Sequence, residues 1–495
     1  MFIIKNFEPR TYQTAICKTI ENHNTLVVLP TGLGKTKIAI MAAVERLNKL
    51  PGSKAIILTP TKPLTNQIFE EFKECSEFEF ITQLTGAVPP KKRATLFSQA
   101  NIIVATPQTI QSDLDKLNIS LEDVSLLCID EAHRSRMKFA NTTVVKSYLA
   151  QSKYPRILAL TASPGGTRQK IKEICDNLHI EKAEIRTDEH EEVTPYIQKK
   201  EITWINVDLP EEFKETLTLI SSVYSATLSK LRNYGLTKPI KLINKKDLLK
   251  FQGMMQFEIR NGNKSAFQKI STVAQAIKLM HAIELLETQG AASLTSYWNK
   301  LSQETSKAST IIKNNQSIVK AIDLTKKLTE NQTTHPKMTK LTELIQEQLK
   351  KDPNSSIMVF ANFRFTVDEI HKTLSLIPNV KPAKLVGQKE GLSQKEQLQI
   401  ISDFEDKKYN CIITTSIGEE GLSLEAADLA IFYEPVASEI RTIQRTGRVG
   451  RTKEGKVVAL ITKNTRDEAY YWVAKRKESI MKSTLEKMQS GQTTL

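Results

Sequence analysis

Three stretches of the chain place residues able to do chemistry at close spacing. PTGLGKT (Pro30–Thr36) sets a glycine-containing turn directly after the apolar run TLVVL (25–29) and ahead of the helix-period segment KIAIMAAVERL. Such a turn exposes several backbone N–H groups, and the following helix N-terminus adds positive potential, so together they suit a phosphate. Thr31, Gly32 and Gly34 form the turn. Lys35 can reach β- and γ-phosphates, and the Thr36 hydroxyl can ligate Mg2+. The strict pattern G-x-x-x-x-G-K-[ST] asks for Gly at 29, where this chain has Leu29.

The second stretch is LLCIDEAHRS (Leu126–Ser135). Its apolar half reads as the end of a strand covered on both faces, and its other half gathers Asp130, Glu131 and His133. A strand ending at the surface would also carry charges, but a phosphate-binding turn upstream gives these a use. Asp130 would hold Mg2+, directly or through water. Glu131 would orient and deprotonate an attacking water. His133 is either a relay of nucleotide state or a hydrogen-bonded structural histidine. The third stretch, QRTGRVGR (Gln444–Arg451), spaces Arg445, Arg448 and Arg451 three apart, on nearly one face of a helix or turn. Guanidinium forks suit phosphate oxygens. Arg448 and Arg451 are candidate arginine fingers, and Gln444 joins the catalytic candidates.

These residues need a scaffold that brings them together. Short apolar runs recur at 25–29, 54–58, 101–105, 126–130 and 156–160, each followed at once by a polar or glycine-containing turn. Continuous apolar runs alternating with helical patterns indicate a parallel sheet covered on both faces. Ligands then bind outside the carboxyl ends of the strands, where these turns would gather. The pattern stops near 205 and resumes with SIMVF (356–360), CIITT (411–415), LAIFY (429–433) and VVALIT (457–462). The expected fold class is α/β, with two parallel-sheet domains at 1–200 and 336–495 and a helical insert at 201–335. Between 221 and 280 the insert carries eleven Lys and Arg residues against only Asp247 and Glu258. That excess favours a phosphate-binding surface, with Lys241, Lys245, Lys246 and Lys250 as candidates.

Composition agrees. The chain has 495 residues, 40% hydrophobic and 25% charged, which suits a globular protein of several domains. A formal net charge of +15 points to a polyanionic partner. The five cysteines lie far apart without a C-x-x-C pair, so neither a zinc site nor a disulfide framework is indicated. No signal-peptide core or long apolar run is present, so no membrane partner is expected, and nucleic acid becomes the favoured polyanion. The expected location is cytoplasmic, associated with the nucleoid.

The order of the P-loop, DEAH, TAS (161–163) and QRTGRVGR resembles superfamily 2 helicases with two RecA-like domains. RTYQ (10–13), GLSQKEQ (391–397), TTSIGEEGL (414–422), FYEPVASEIRTIQRTGRVGR (432–451) and TRDEAYYW (465–472) narrow this. They resemble the archaeal Hef helicases, relatives of FANCM, as does HAIELLETQG (281–290) within the insert. The resemblance spans nearly the whole chain. It implies adenine recognition by Gln13 with Arg10 nearby, and coupling of ATP hydrolysis to DNA movement by Thr161, Ala162 and Ser163. It also implies backbone contacts to one DNA strand from Thr61, Lys62, Thr85, Gly86, Thr106, Arg364 and Thr415. The insert would be thumb-like and favour forked or branched DNA. The cofactors implied are ATP and Mg2+; a sliding clamp or a separate nuclease would be compatible partners.

Two departures stand out. The related motif commonly reads GLD, where this chain reads GLS (Gly421–Ser423), so a carboxylate there is absent or supplied elsewhere, for instance by Glu425. Many Hef proteins also carry an XPF-type nuclease with an ERKxxxD motif, which is absent before Leu495. The expectation is a helicase part without that nuclease, whether as a whole protein or as part of a longer one. The leading reading is an ATP-dependent DNA helicase or translocase for forks and junctions, in DNA repair and fork restart. The alternatives are a helicase-like ATPase directed to double-stranded RNA, and a binding scaffold that has lost hydrolysis.

Overall fold

The structure, a computed structural model, describes residues 1–136, 139–187, 190–196, 201–387, 391–415, 427–436, 438 and 455–489. It contains two parallel sheets. The first comprises β1 (Thr25–Val28), β2 (Lys54–Leu58), β3 (Ile81–Leu84), β4 (Ile102–Ala105), β5 (Val124–Ile129), β6 (Ile157–Thr161) and β7 (Lys182–Ile185). Their spatial order is β3-β4-β2-β5-β6-β1-β7. The central strands β1, β4, β5 and β6 are buried at every position, because helices cover both faces and leave no side for polar residues.

The second sheet comprises β8 (Glu201–Val207), β9 (Ile357–Phe360), β10 (Pro382–Leu385), β11 (Cys411–Thr414), β12 (Leu429–Phe432) and β13 (Lys456–Thr462), ordered β10-β11-β9-β12-β13-β8. Residues 201–207, assigned to the insert on sequence grounds, instead pair in parallel with all of β13, from Glu201 opposite Lys456 to Val207 opposite Thr462. The second sheet thus takes its edge strand from before the insert. The chain leaves that sheet, builds the insert and returns to it.

The insert is helical, with helices Glu211–Asn233, Lys245–Arg260, Ala266–Thr288, Ala291–Gln303, Lys307–Lys313 and Gln316–Glu330. It has two apolar cores. One gathers Phe213, Ile220, Leu279, Leu286 and Trp298; the other gathers Leu228, Leu231, Leu248, Phe251, Met255 and Val273. The long helices Glu211–Asn233 and Ala266–Thr288 run through both. Among the described residues no helix is long and apolar enough to cross a membrane.

One helix ties the three parts together. Arg466–Gln489 starts beside β13 and ends in the core of the first domain, where Met481 and Leu485 join Ile171, Ile174 and Cys175. Its 24 residues span about 36 Å at 1.5 Å per residue. At its root Asp467, 1% exposed, pairs with the fully buried Lys337 and accepts from Thr462 N at 3.1 Å. Lys337 Nζ also donates to Tyr433 O at 2.9 Å. A buried charge pair persists only when its remaining hydrogen-bonding groups are satisfied, and these bonds meet that condition. Arg466 meanwhile lies 3.8 Å from Glu284 and 3.7 Å from Glu287 on the insert.

Candidate active site

The P-loop begins where β1 ends. Its backbone turns through Gly32 (φ +86°) and Gly34 (φ +73°), and the helix Lys35–Lys49 starts at once. Glycine at 34 has a second cause: a Cβ there would lie 2.6 Å from Gln13 Nε2. Leu29, standing where the strict motif has glycine, is fully buried with Val27, Leu33 and Ile38. Its backbone is not among the left-handed residues, so this position needs no glycine. Lys35 Nζ donates to Leu29 O at 3.1 Å and Pro30 O at 3.3 Å, which holds it over the loop.

RTYQ packs against this loop. Gln13, 2% exposed, accepts from Arg10 N at 2.9 Å and directs Nε2 to Leu33 O and Gly34 O at 3.4 Å. Tyr12, a residue the sequence reading did not single out, donates to Leu33 O at 2.8 Å and accepts from Arg10 Nη1 at 3.0 Å. The Arg10 guanidinium lies 4.2 Å from the centre of the Tyr196 ring. A planar cation stacked on an aromatic ring beside a phosphate turn forms a pocket wall suited to a base.

DEAH follows β5, one strand from β6 and two from β1. Glu131 has φ +50°, uncommon for a residue with a side chain, and so carries backbone strain of the kind that clusters at functional sites. Its carboxylate lies 3.2 Å from His133 Nδ1. The same nitrogen is 3.3 Å from Thr161 Oγ1, and Ser163 N donates to Thr161 Oγ1 at 3.1 Å. The TAS segment is therefore wired to the DEAH box, and Leu29 N donates to Thr161 O at 3.1 Å, joining it to the P-loop. Ala162 sits between the two polar residues of that link.

The electrostatics separate the two carboxylates. Burial, then the charge of Glu131, pushes Asp130 up to about 7 against the pull of Lys35. Burial also opposes ionisation of Glu131, but the hydrogen bond and charge of His133, with Lys35, hold it below the usual carboxylate range. Glu131 Oε2 is the oxygen that faces His133 Nδ1. Adjacent, partly buried acids facing one lysine, with a hydroxyl at Thr36, fit a divalent cation; Asp130 and Thr36 would hold Mg2+.

The strand-contact candidates line the other half of the same edge. Thr61 and Lys62 follow β2, Thr85 and Gly86 follow β3, and Thr106 follows β4, and these three strands are neighbours. Lys62 and Gly86 are exposed. Thr61 caps the helix Lys62–Cys75. Thr85 and Thr106 are buried, with the hydroxyls engaged locally: Thr85 accepts from Ala87 N at 3.4 Å and Thr106 bonds Thr109 at 2.8 Å. In the second domain Arg364 opens the helix after β9 and is exposed, whereas Thr415 follows the adjacent β11 and is buried. Lys245, Lys246 and Lys250 are exposed on the helix Lys245–Arg260. The Lys241 side chain, and all of Gln444, Arg445, Arg448, Arg451, Ser423 and Glu425, lie outside the described residues.

A glycine-rich turn, an acidic strand end and a TAS segment hydrogen-bonded to both on one sheet, with a second parallel sheet and a helical insert, define a two-domain helicase core. The comparisons agree. Residues 10–171 match the family "DEAD/DEAH box helicase", 336–453 match "Helicase conserved C-terminal domain", and 212–332 match "Putative ATP-dependent RNA helicase, helical bundle". The helicase domain of Pyrococcus furiosus Hef shares 43% identity, covering 94% of this chain and 98% of that one, with a TM-score of 0.75. Methanocaldococcus jannaschii "Putative ATP-dependent RNA helicase MJ1505" is 38% identical over 98% of this chain and 61% of its own length. Schizosaccharomyces pombe "ATP-dependent DNA helicase fml1" is 33% identical over 95% and 59%. The chain belongs to the Hef/FANCM family of DEAD/DEAH-box helicases. It spans about three fifths of the two curated relatives just described.

Proposed function

We propose that the chain is the motor of an ATP-dependent DNA helicase or translocase acting on branched DNA such as stalled forks and junctions, in DNA repair and fork restart. The observation that carries this reading is the shared edge of the first sheet. ATP-site candidates follow β1, β5 and β6, and strand-contact candidates follow β2, β3 and β4. A change at one half of so compact an edge bears directly on the other.

In this mechanism Gln13 and Arg10 hold the adenine, and Lys35 leaves its two carbonyl partners for the β- and γ-phosphates. Mg2+, when bound, neutralises charge on the terminal phosphates. Glu131, ionised below neutral pH, takes the proton of the attacking water. Its bond to His133 then changes, and Thr161 and Ser163 carry that change away from the phosphate. Arg448 and Arg451, read from the sequence as arginine fingers, would supply positive charge to the transferring group. The exposed lysines of the insert engage a second arm of the DNA. The relatives' printed names include DNA helicases and an RNA helicase, so the substrate needs a direct test.

That test is phosphate release measured with single-stranded, duplex, forked and four-way DNA and with duplex RNA. Forked or four-way DNA is expected to stimulate most. Equal or greater stimulation by duplex RNA would overturn the DNA assignment, and no stimulation by any nucleic acid would overturn the motor.

A further inference from the structure

Within the insert, the helix Lys245–Arg260 has an outer face whose composition its own fold does not require. Lys246, Lys250, Gly253 and Phe257 follow one another at steps of three or four residues and share one side, with Leu249 and Met254 as flanks. All are exposed. The opposite side supplies the core through Leu248, Phe251 and Met255. On the outer side Leu249 is 48% exposed, Met254 52% and Phe257 66%, an apolar patch on a helix whose core is already filled. Just past the following turn, Phe267 is exposed as well.

Gly253 is the more telling residue. Mid-helix glycine weakens a helix relative to alanine. Here neither usual excuse holds: φ is not positive, and a Cβ would meet nothing within 4 Å. The position gives the helix no internal return, but it leaves a flat place between Lys250 and Phe257 where another molecule's backbone can come close.

The charge around this patch selects the occupant. Asp247 is paired with Lys238 and Glu258 lies 3.9 Å from Lys269, so the nearby acids are matched. Lys246, Lys250, Arg260 and Lys264 form no ion pair among the described residues. The lysines also sit within the apolar stripe rather than along its borders. A lipid interior would disfavour that, whereas a strand alternating phosphates with flat apolar bases suits it. Resting on the function proposed above, we infer that this face is a base-stacking platform for unpaired nucleotides at a DNA branch point. Phe257 and Met254 cover the bases, Lys246 and Lys250 hold the flanking phosphates, and Gly253 admits the sugar–phosphate backbone.

The test uses the full chain and a synthetic fork carrying 2-aminopurine at its first unpaired base. Wild type should bind the fork and quench that base by stacking. Phe257→Ala should lose the quench and weaken fork affinity by about tenfold relative to single strands, the loss typical of one base–aromatic stack. Phe257→Trp should restore both. Gly253→Leu places bulk on the open site while improving helix propensity, so it should weaken fork binding without lowering Tm. Fork binding by wild type with Phe257→Ala and Gly253→Leu unaltered would overturn this inference alone. The same result with weakened binding to phosphatidylserine vesicles would reassign the face to a membrane. Equal losses on forks and single strands would overturn its branch specificity. Failure of wild type to bind forks at all would overturn the proposed function and this platform with it.

Discussion

The Ser163 hydroxyl donates to the Met481 sulfur at 2.9 Å, and both residues are buried. Ser163 belongs to the segment hydrogen-bonded to the DEAH histidine. Met481 lies on the helix rooted in the second domain by Asp467. One helix therefore touches the Thr161–Ser163 segment at one end and the second sheet and the insert at the other.

If Ser163 couples hydrolysis to movement as proposed, this contact makes Met481 a positioning residue for it. Met481→Leu, close to volume-conserving, should cost under about 1.5 kcal/mol of stability while removing the sulfur acceptor. Unwinding per ATP hydrolysed should fall in Met481→Leu and further in Met481→Ala. The ratio of strand-separation rate to phosphate-release rate reads this directly, and an unchanged ratio would leave Met481 a packing residue only.

The root of that helix gives a stability prediction. Lys337→Met strands Asp467 as a buried, uncompensated carboxylate and should cost about 3–5 kcal/mol. Adding Asp467→Leu removes the stranded charge and should recover most of the loss. Urea unfolding of the two variants checks this; a double variant no more stable than the single one would mean that the pair is not a closed unit.

A pH dependence follows from Glu434, 1% exposed, whose carboxylate accepts from Asn362 N and Thr366 Oγ1. Burial pushes it up to about 7. Between the unfolded value near 4.5 and about 7 the folded state binds more protons, so this group's stabilisation is full below 4.5 and is lost as pH rises through 7. Buried His335, lowered to about 3, works in the opposite sense between 3 and 6.5, so wild type alone shows a mixed profile. The difference between Glu434→Gln and wild type isolates the term. It should shift toward the variant by at most roughly 3 kcal/mol from pH 4.5 to 8. Calorimetry across that range measures it, and a pH-independent difference would contradict it.

Arg448→Ala tests the second domain's contribution to chemistry. ATP binding should survive, and kcat should fall by about 10³-fold, as it does when an arginine finger is lost. Nucleotide affinity by fluorescence alongside turnover separates the two; kcat within about tenfold of wild type would remove Arg448 from the reaction.

The placement of the first domain's candidate residues is legible in the sequence because it is local. PTGLGKT and DEAH each combine a strand end, a turn and reactive side chains within a few residues, and the structure places both on one sheet edge. The strands not recognised in the sequence, β3, β7, β8 and β10, are the four sheet edges. Edge strands have one neighbour and half-open faces, so ITQL, KAEI and PAKL lack the continuous apolar run that marked the central ones. β8 carried a further disguise, because its partner β13 lies some 250 residues later and no local pattern links them. Tyr12 and Met481 were illegible for the same reason. Each reads as an ordinary core residue until the fold brings Leu33 or Ser163 against it.

The most direct test of the account is strand separation of a synthetic fork by wild type and by Glu131→Gln, each with ATP and Mg2+. The account predicts that wild type separates the strands only when ATP is hydrolysed. Glu131→Gln should still bind ATP and the fork, with turnover lowered about 10²- to 10⁴-fold and separation lost in proportion. Separation by the variant at the wild-type rate, or none by wild type while it hydrolyses ATP on the fork, would contradict it.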